Sequence, residues 1–499
     1  MKILKLIFTT LLLLLFGALI TALSMSSPVG AAPLSAPAPN QLPLGNTLNA
    51  GSASVTVNGS IMSIHQSTQQ AAMSWSSFNI GDAATVNVVQ PSSSSILLNQ
   101  VLSNSPTQIL GHLNANGQVF LSNPSGIYFA PGASVNVGGL VATTNSISTS
   151  DFMAGLSTFS SSSLSAKIVN EGNLQSALGG YIALLAPTVV NNGVIIAQMG
   201  TVALAAGNQY VLQFKGEALN ALIVTPANIA TLVTNGNAVL APGGLIILSA
   251  QGAHQIKSAI VGNSGVLDAT GITSDGGLIK LTATQTINAG GYITANAAAN
   301  SDANGGSISI ISDLNNAKSQ TTVTGVISAQ GGNLGGVGGA VETSGSRVTV
   351  ASGATVNTLA SKGKPGTWTL DPTDFIIDSV ANGGDISAAT LDLNLTTSNV
   401  VISSVNGKSG IQGNIQVNQG INWLAANSLT LNAINNVVVS QSITENAVNA
   451  KLIINAGNDI DINAPIVSNA VSTSINLNAG NNVNINSWIQ GRSATLTKS

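Results

Sequence analysis

Three histidines, His65, His112 and His254, are the side chains in this 499-residue chain best suited to metal ligation or proton transfer. They lie far apart, and none has a metal-ligand spacing, so each reads as a surface or packed residue on a strand. Cysteine is absent, which removes thiolate metal sites and a cysteine nucleophile. No HExxH, GxSxG or CxxC motif occurs. Asn406-Gly407-Lys408-Ser409 contains a GKS, but Ile402 stands where a phosphate-binding loop requires glycine. The glycines from Gly331 to Ala340 do not match the dinucleotide fingerprint and read as a flexible loop. Asp459 and Asp461 share one strand face, a spacing compatible with paired carboxylates for glycoside hydrolysis or with Ca²⁺ ligation. The next repeat carries Asn482 and Asn484 there, so the pair reads as solvent-facing polar filler. No catalytic residue, metal or cofactor is expected.

What stands out instead is backbone geometry. In Asn123-Pro124-Ser125-Gly126-Ile127, the proline restricts Asn123 to extended backbone and Gly126 permits positive φ. Ser125 can bond to nearby backbone within a turn. The plain reading is a tight turn that holds two strands. The functional reading is that the turn and its neighbours present an extended segment to a partner.

The elements that must position this turn are strands. SVTVNG, TVNVVQ, ILLNQV, QVFLSN and SVNVGGLVA are short, alternating or β-branched, and bounded by Gly, Asn or Pro. No long 3.6-period apolar stripe follows residue 33, so almost no helix is expected. From Gly172 to Leu212 an N-x-G-x-I-like strand alternates with a G-x-V-x-L-like strand, and the pair recurs downstream. The clearest repeat is C-terminal, with copies starting at Ser428, Lys451 and Ser474, each 23 residues after the last. Alignment gives apolar columns such as Leu429, Leu452, Ile475 and Val437, Ile460, Val483, beside a polar column Asn432, Asn455, Asn478. Apolar positions two apart form one face of a strand. A face that no single copy can bury becomes a continuous core when copies stack as coils of a parallel β-helix. Asparagine at the corners tolerates left-handed backbone and can bond to its copies above and below. Antiparallel β-sandwiches are the alternative fold, but they would not need a fixed register.

Charged residues make up only 6% of the chain, against about 25% in typical soluble proteins. Hydrophobic residues reach 44% and the net charge is -3, which excludes the disorder signature and any basic surplus for nucleic acid. At the N-terminus Lys2 and Lys5 precede an apolar run from Leu6 to Leu23, and the small residues Val29 to Ala32 follow. This is an export signal with cleavage expected after Ala31 or Ala32; an uncleaved anchor is the alternative. A cysteine-free chain also suits passage through a narrow pore, which a disulfide would obstruct.

The stretch NGQVFLSNPSGIYFAPGASVNVGGLVATT, Asn116 to Thr144, resembles the core of the secretion domain shared by filamentous haemagglutinin-like adhesins, large haemolysins and contact-dependent inhibition exoproteins. These are the exported partners of two-partner secretion systems. Similar pieces occur in order at Ser63 to Gly81, Gln90-Pro91, Leu97 to Asn104, Ile109 to Gly117 and from Asp151. Where the family often has Asn-Pro-Asn-Gly-Ile, this chain has Ser125. The resemblance implies an all-β, right-handed parallel β-helix, a hand that crossover chirality also favours. It implies no enzyme. It implies a secreted or surface-exposed adhesin-like protein exported through an outer-membrane β-barrel transporter with periplasmic recognition domains, with a host-cell or matrix receptor beyond. The residues it points to for secretion or partner recognition are Asn99, Asn116, Gly117, Asn123, Pro124, Ser125, Gly126 and Ile127. The expected organisation is a signal at 1–32, a Pro-rich lead at 33–45 and a secretion-type β-helix at 46–300. Gly-rich coils at 301–365, a Trp-containing junction at 366–380 and coils of about 23 residues at 381–499 complete it. Ser499 falls just after a coil, as in a piece of a longer exoprotein. A β-helix carbohydrate-active enzyme and a structural extracellular fibre are the competing functions.

Overall fold

A computed structural model describes residues 35–161, 166–253, 258–404, 413–470, 474–491 and 494–498. The expected signal at 1–32, His254 and the GKS at 406–409 lie outside the described residues. Residues 38–499 form one compact unit. Its strands are mostly three to six residues long, and nearly all pair in parallel with a strand one coil earlier and one coil later. This is a parallel β-helix.

The C-terminal coils show why the sequence folds this way. Strands Ser428–Ala433, Lys451–Ala456 and Ser474–Ala479 stack in register, with Leu429 beside Leu452 beside Ile475. Val437, Ile460 and Val483 form the next column, and Ile443, Ile466 and Ile489 another. The 23-residue spacing therefore places like residue on like, and the inward faces join one core running from Leu42 to Ala479. The polar column stacks as well. Asn478 Nδ2 donates to Asn455 Oδ1 and Asn455 Nδ2 to Asn432 Oδ1, both at 2.7 Å. Left-handed backbone is not the reason for asparagine here. Among described non-glycine residues, positive φ occurs only at Met199 and Asn449. Asparagine serves because its amide offers a donor to one neighbouring coil and an acceptor to the other.

A second ladder lies in the interior. Asn170, Asn191, Asn235 and Asn263 are buried, and each amide donates to the Oδ1 of the next at 2.7–2.8 Å. Asn263 then donates to the Gly290 carbonyl at 2.6 Å. This is the structural content of the N-x-G repeat. Its spacing is irregular, 21, 44 and 28 residues, because the middle step contains an inserted hairpin.

That hairpin, Gln209–Lys215 with Ala218–Thr225, joins Thr158–Ser161 and Asn145–Ser146 in a four-stranded antiparallel sheet. The sheet lies over the outward face of the solenoid and encloses a second apolar cluster that includes Phe120, Phe152, Phe159, Tyr181 and Tyr210. The strands Ala53–Asn58 and Thr47–Ala50 add antiparallel partners at the N-terminal end, to Ile61–Gln66 and Gln70–Trp75.

Helix is nearly absent, as expected: among the described residues there are two short α-helices, α1, Thr149–Met153, capped by Ser148, and α2, Ala388–Leu395, capped by Ser387. Two expectations are corrected. The glycine segment from Gly331 is stacked rather than flexible. Gly332 and Leu334 donate to Ala303 and Ser301 of the preceding coil, and a side chain at Gly332 would strike the Ser301 carbonyl. The asparagine columns lack left-handed backbone, as described above.

The Trp-containing segment forms strands Thr367–Asp371 and Phe375–Ile377. One sheet ends at Arg347–Val350, and a new one begins at Phe375–Ile377. Asp385 spans this change: it pairs with Arg347 Nε at 3.1 Å and accepts from the Ile376 N–H at 3.0 Å. Burial nevertheless holds its carboxyl above the usual range, against the Ile376 hydrogen bond and the Arg347 charge.

Asn191→Ala would leave Asn170 without its acceptor and Asn235 without its donor. It is expected to cost about 1–3 kcal/mol, more than Asn455→Ala in the part-buried column. Urea denaturation of the two variants measures the difference. Asp392 on α2 supplies a pH test. Burial pushes its carboxyl up to about 6, opposed by the Asn422 N–H it accepts. The folded state holds that proton more tightly than the unfolded chain, so this group's stability contribution falls as pH rises from about 4 to about 6. Asp392→Asn should therefore gain stability over the native chain at neutral pH and lose that advantage in acid. An equal difference at both pH values would contradict the shift.

Candidate functional site

The segment singled out in the sequence is built from groups that reach between coils. Strand Gln118–Ser122 ends at Asn123, which is fully buried. Asn123 Oδ1 accepts from the Ser125 N–H at 2.9 Å and its carbonyl accepts from the Gly126 N–H at 3.0 Å, which closes the turn. Asn123 Nδ2 donates to the Ser105 carbonyl at 3.1 Å and to Thr107 Oγ1 at 3.0 Å, both on the coil before. Its own N–H donates to the Thr143 carbonyl on the coil after. Ser125 Oγ donates to the Ser103 carbonyl at 3.0 Å. Gly126 has φ +116, and a Cβ there would lie 3.0 Å from the Lys167 carbonyl. Ile127 then enters the strand Ile127–Phe129, paired with Thr107 on one side and Ile168 on the other. Next to it, the Tyr128 phenol donates to Glu171 Oε2 at 2.5 Å, and that hydrogen bond, reinforced by burial, pushes its pKa up to about 12.

Asn116 and Gly117 occupy a different corner. Asn116 Oδ1 accepts from the Gln90 N–H at 2.7 Å, and its Nδ2 donates to the Gln90 carbonyl at 2.8 Å. Gly117 N–H donates to Gln90 Oε1 at 3.0 Å, and a Cβ on Gly117 would sit 2.6 Å from that oxygen. Gln90 Nε2 reaches Gln66 Oε1, the Ser95 carbonyl and the Gln118 carbonyl. Asn99 lies in the interior, where its Oδ1 accepts from Trp75 Nε1 at 3.0 Å. Trp75 packs edge-on against Phe78 at 5.2 Å.

The structure thus places these residues at two corners and in the interior of stacked coils, and not in one exposed patch. Asn116 is exposed at its corner, and Pro124 and Ser125 keep a partial exposure in the turn. Sequence reading left Gln90, the hub of this network, out of the candidate residues along with Gln66 and Gln118, although the spacings from Gln66 to Gln90 and on to Gln118, 24 and 28 residues, are those of successive coils.

The other candidates stay apart. His65 and His112 sit exposed on separate strands, Ile61–Gln66 and His112–Ala115. Asp459 Oδ1 accepts from Asn481 Nδ2 and the Asn482 N–H, and Asp461 Oδ1 accepts from Asn484 Nδ2. Both carboxylates therefore hold the next coil. No group of three potential metal ligands occurs among the described residues.

A parallel β-helix with an antiparallel N-terminal layer and a sheet clasped to its outer face defines the class. The sequence model of the TPS secretion domain matches residues 41–295, half of the chain, and the protein belongs to that family. It is a secreted or cell-surface exoprotein of two-partner secretion, exported by way of the periplasm. It is similar to a heme/hemopexin-binding protein of Haemophilus influenzae, 29% identical over 249 residues, which is 48% of this chain and 27% of that protein. A second heme/hemopexin-binding protein from that species is 27% identical over 243 residues, covering 44% and 26%. The chain spans about a quarter of the length of these relatives. The crystal structure of the HMW1 secretion domain from Haemophilus influenzae superposes with a TM-score of 0.54 at 22% identity, over 91% of this chain and 100% of that one, which shows the shared fold.

Asn123→Ala removes the turn's acceptor and two donors to the coil before. A loss of about 2–3 kcal/mol is expected. Ser125→Asn, which restores the frequent family residue, should change stability by under about 0.5 kcal/mol. Denaturant midpoints of the two variants check both values.

Proposed function

We propose that an outer-membrane β-barrel transporter with periplasmic recognition domains exports this chain unfolded, and that it coils into its β-helix on the far side. The observation that carries this reading is the direction of the bonds made by the Asn116–Gly117 and Asn123–Ile127 segments. They run to the coils before and after, so each piece gains its partners only as the neighbouring coil arrives. On this reading Asn99, Asn116, Gly117 and Asn123 to Ile127 act in secretion through folding. Folding free energy of about 0.05–0.15 kcal/mol per residue then biases threading outward. The absence of cysteine is consistent with passage as an open chain.

Adhesion to a host-cell or matrix receptor, without catalysis, is the role proposed for the exported chain. Capture of haem or hemopexin, the activity named for two relatives, is the second reading. Binding of the purified chain to cultured cells, against binding to immobilised hemin, separates them.

The export step has its own test. A bulky fusion at the C-terminal side stalls the chain in transit, and what co-purifies from the outer membrane is identified. A barrel protein with periplasmic domains is expected. Surface delivery without such a barrel would contradict the proposal.

A further inference from the structure

Natural sheets protect their free edges with charges, prolines, shortness or a covering element. The outermost strand of the side sheet, Ala218–Thr225, has few of these. It pairs only with Gln209–Lys215, and no strand among the described residues pairs with its other edge. Its eight residues, Ala-Leu-Asn-Ala-Leu-Ile-Val-Thr, include no charge and no proline. The one interruption is a register shift where Gln213 and Phe214 oppose Ala221 and Leu219, leaving Asn220 unmatched. Past it the strand runs regularly to Thr225, with Ile223 half exposed at 50%.

A second observation concerns what lies under that edge. A notch of about 150 Å³, the size of one side chain, opens between the strand and the outward face of the solenoid. Leu222, Leu245 and Ile247 supply apolar wall, while Lys280 and Thr282 continue the face on the next coil. Leu222 and Ile247 are only partly buried and belong to the margin of the aromatic cluster beneath the sheet. Lys280 is exposed and forms no ion pair among the described residues.

We propose that this edge accepts an extended peptide from another protein as a fifth strand. Main-chain hydrogen bonds along Ala221 to Thr225 supply the affinity. One apolar side chain enters the notch, and an acidic side chain on the same face meets Lys280. This is strand addition with a specificity pocket. A second copy of the chain does not fit the site. Antiparallel pairing of two identical edges uses a two-fold axis normal to the sheet, which places the copy's solenoid in the space beneath the added strand, already filled by this one.

The test uses the full chain and a fluorescein-labelled peptide of alternating valine and threonine carrying one glutamate, followed by fluorescence anisotropy. Binding is expected to weaken by about tenfold or more with Ile223→Lys, which places a charge on the edge. It should weaken likewise when alternate peptide amides are N-methylated to block main-chain pairing. Lys280→Glu lies on a solenoid strand outside the hairpin, at the rim of the notch, and should reverse the preference to a peptide with lysine in place of glutamate. Circular dichroism confirms that both variants fold. Absence of binding at millimolar peptide, or binding indifferent to methylation and to both variants, overturns the proposal. Concentration-dependent dimerisation abolished by Ile223→Lys overturns it too, since the edge would then belong to a second copy.

Discussion

A coil of a β-helix cannot satisfy its own backbone. Its N–H and C=O groups point along the axis, toward the coils before and after, and an unpaired buried amide is costly. Every other feature of this chain follows from that constraint. Inward faces must be apolar in every coil, because the core is shared along the axis. Corners must either lack side chains or carry ones that bond to their own copy in the next coil. Glycine and asparagine meet those two requirements, and lysine or glutamate rarely does. The low charge content is thus a consequence of stacking.

Seen in this way, the secretion-type motif is a dense case of the general rule. Asn116 clasps both backbone groups of Gln90, and Asn123 closes its own turn while holding Ser105 and Thr107. The antiparallel layer at the N-terminal end pairs Ile61–Gln66 and Gln70–Trp75 with strands from the same chain. The side sheet meets a different need. Phe120 and Tyr181 on the solenoid's outward face are large and apolar, and they require a cover, which Phe152, Phe159 and Tyr210 provide.

The sequence showed most where it repeats at fixed period. Leu429, Leu452 and Ile475 could be stacked on paper because their spacing is constant. The interior ladder from Asn170 to Asn263 was harder to see, since the hairpin insertion breaks its period. The side sheet was not legible. Its strands alternate with the same period of two as the coil strands, and nothing local distinguishes pairing with a neighbour in sequence from pairing with the next coil. Helix α2 was hidden by length: eight residues are too few for an amphipathic pattern to emerge, and its position depends on Asn394 bonding to Val356 and Ala354 far upstream. At Asn123–Ile127 the tight turn was legible but the direction of its side chains was not. Asn123 looked able to face a partner, while the structure turns it inward, where its amide closes the turn and bonds to Ser105 and Thr107 of the coil before.

The central claim is that stability passes from each coil to the next, with no coil stable alone. Pulling the folded chain from its C-terminal end with optical tweezers, while the N-terminal end is held, tests this most directly. Stepwise release is expected, starting at the C-terminal coils in increments near the 23-residue spacing of their asparagine column, with refolding in the reverse order when force is lowered. A single event that releases the whole unit at once, with no steps on relaxation, would contradict coil-by-coil assembly and the export reading built on it.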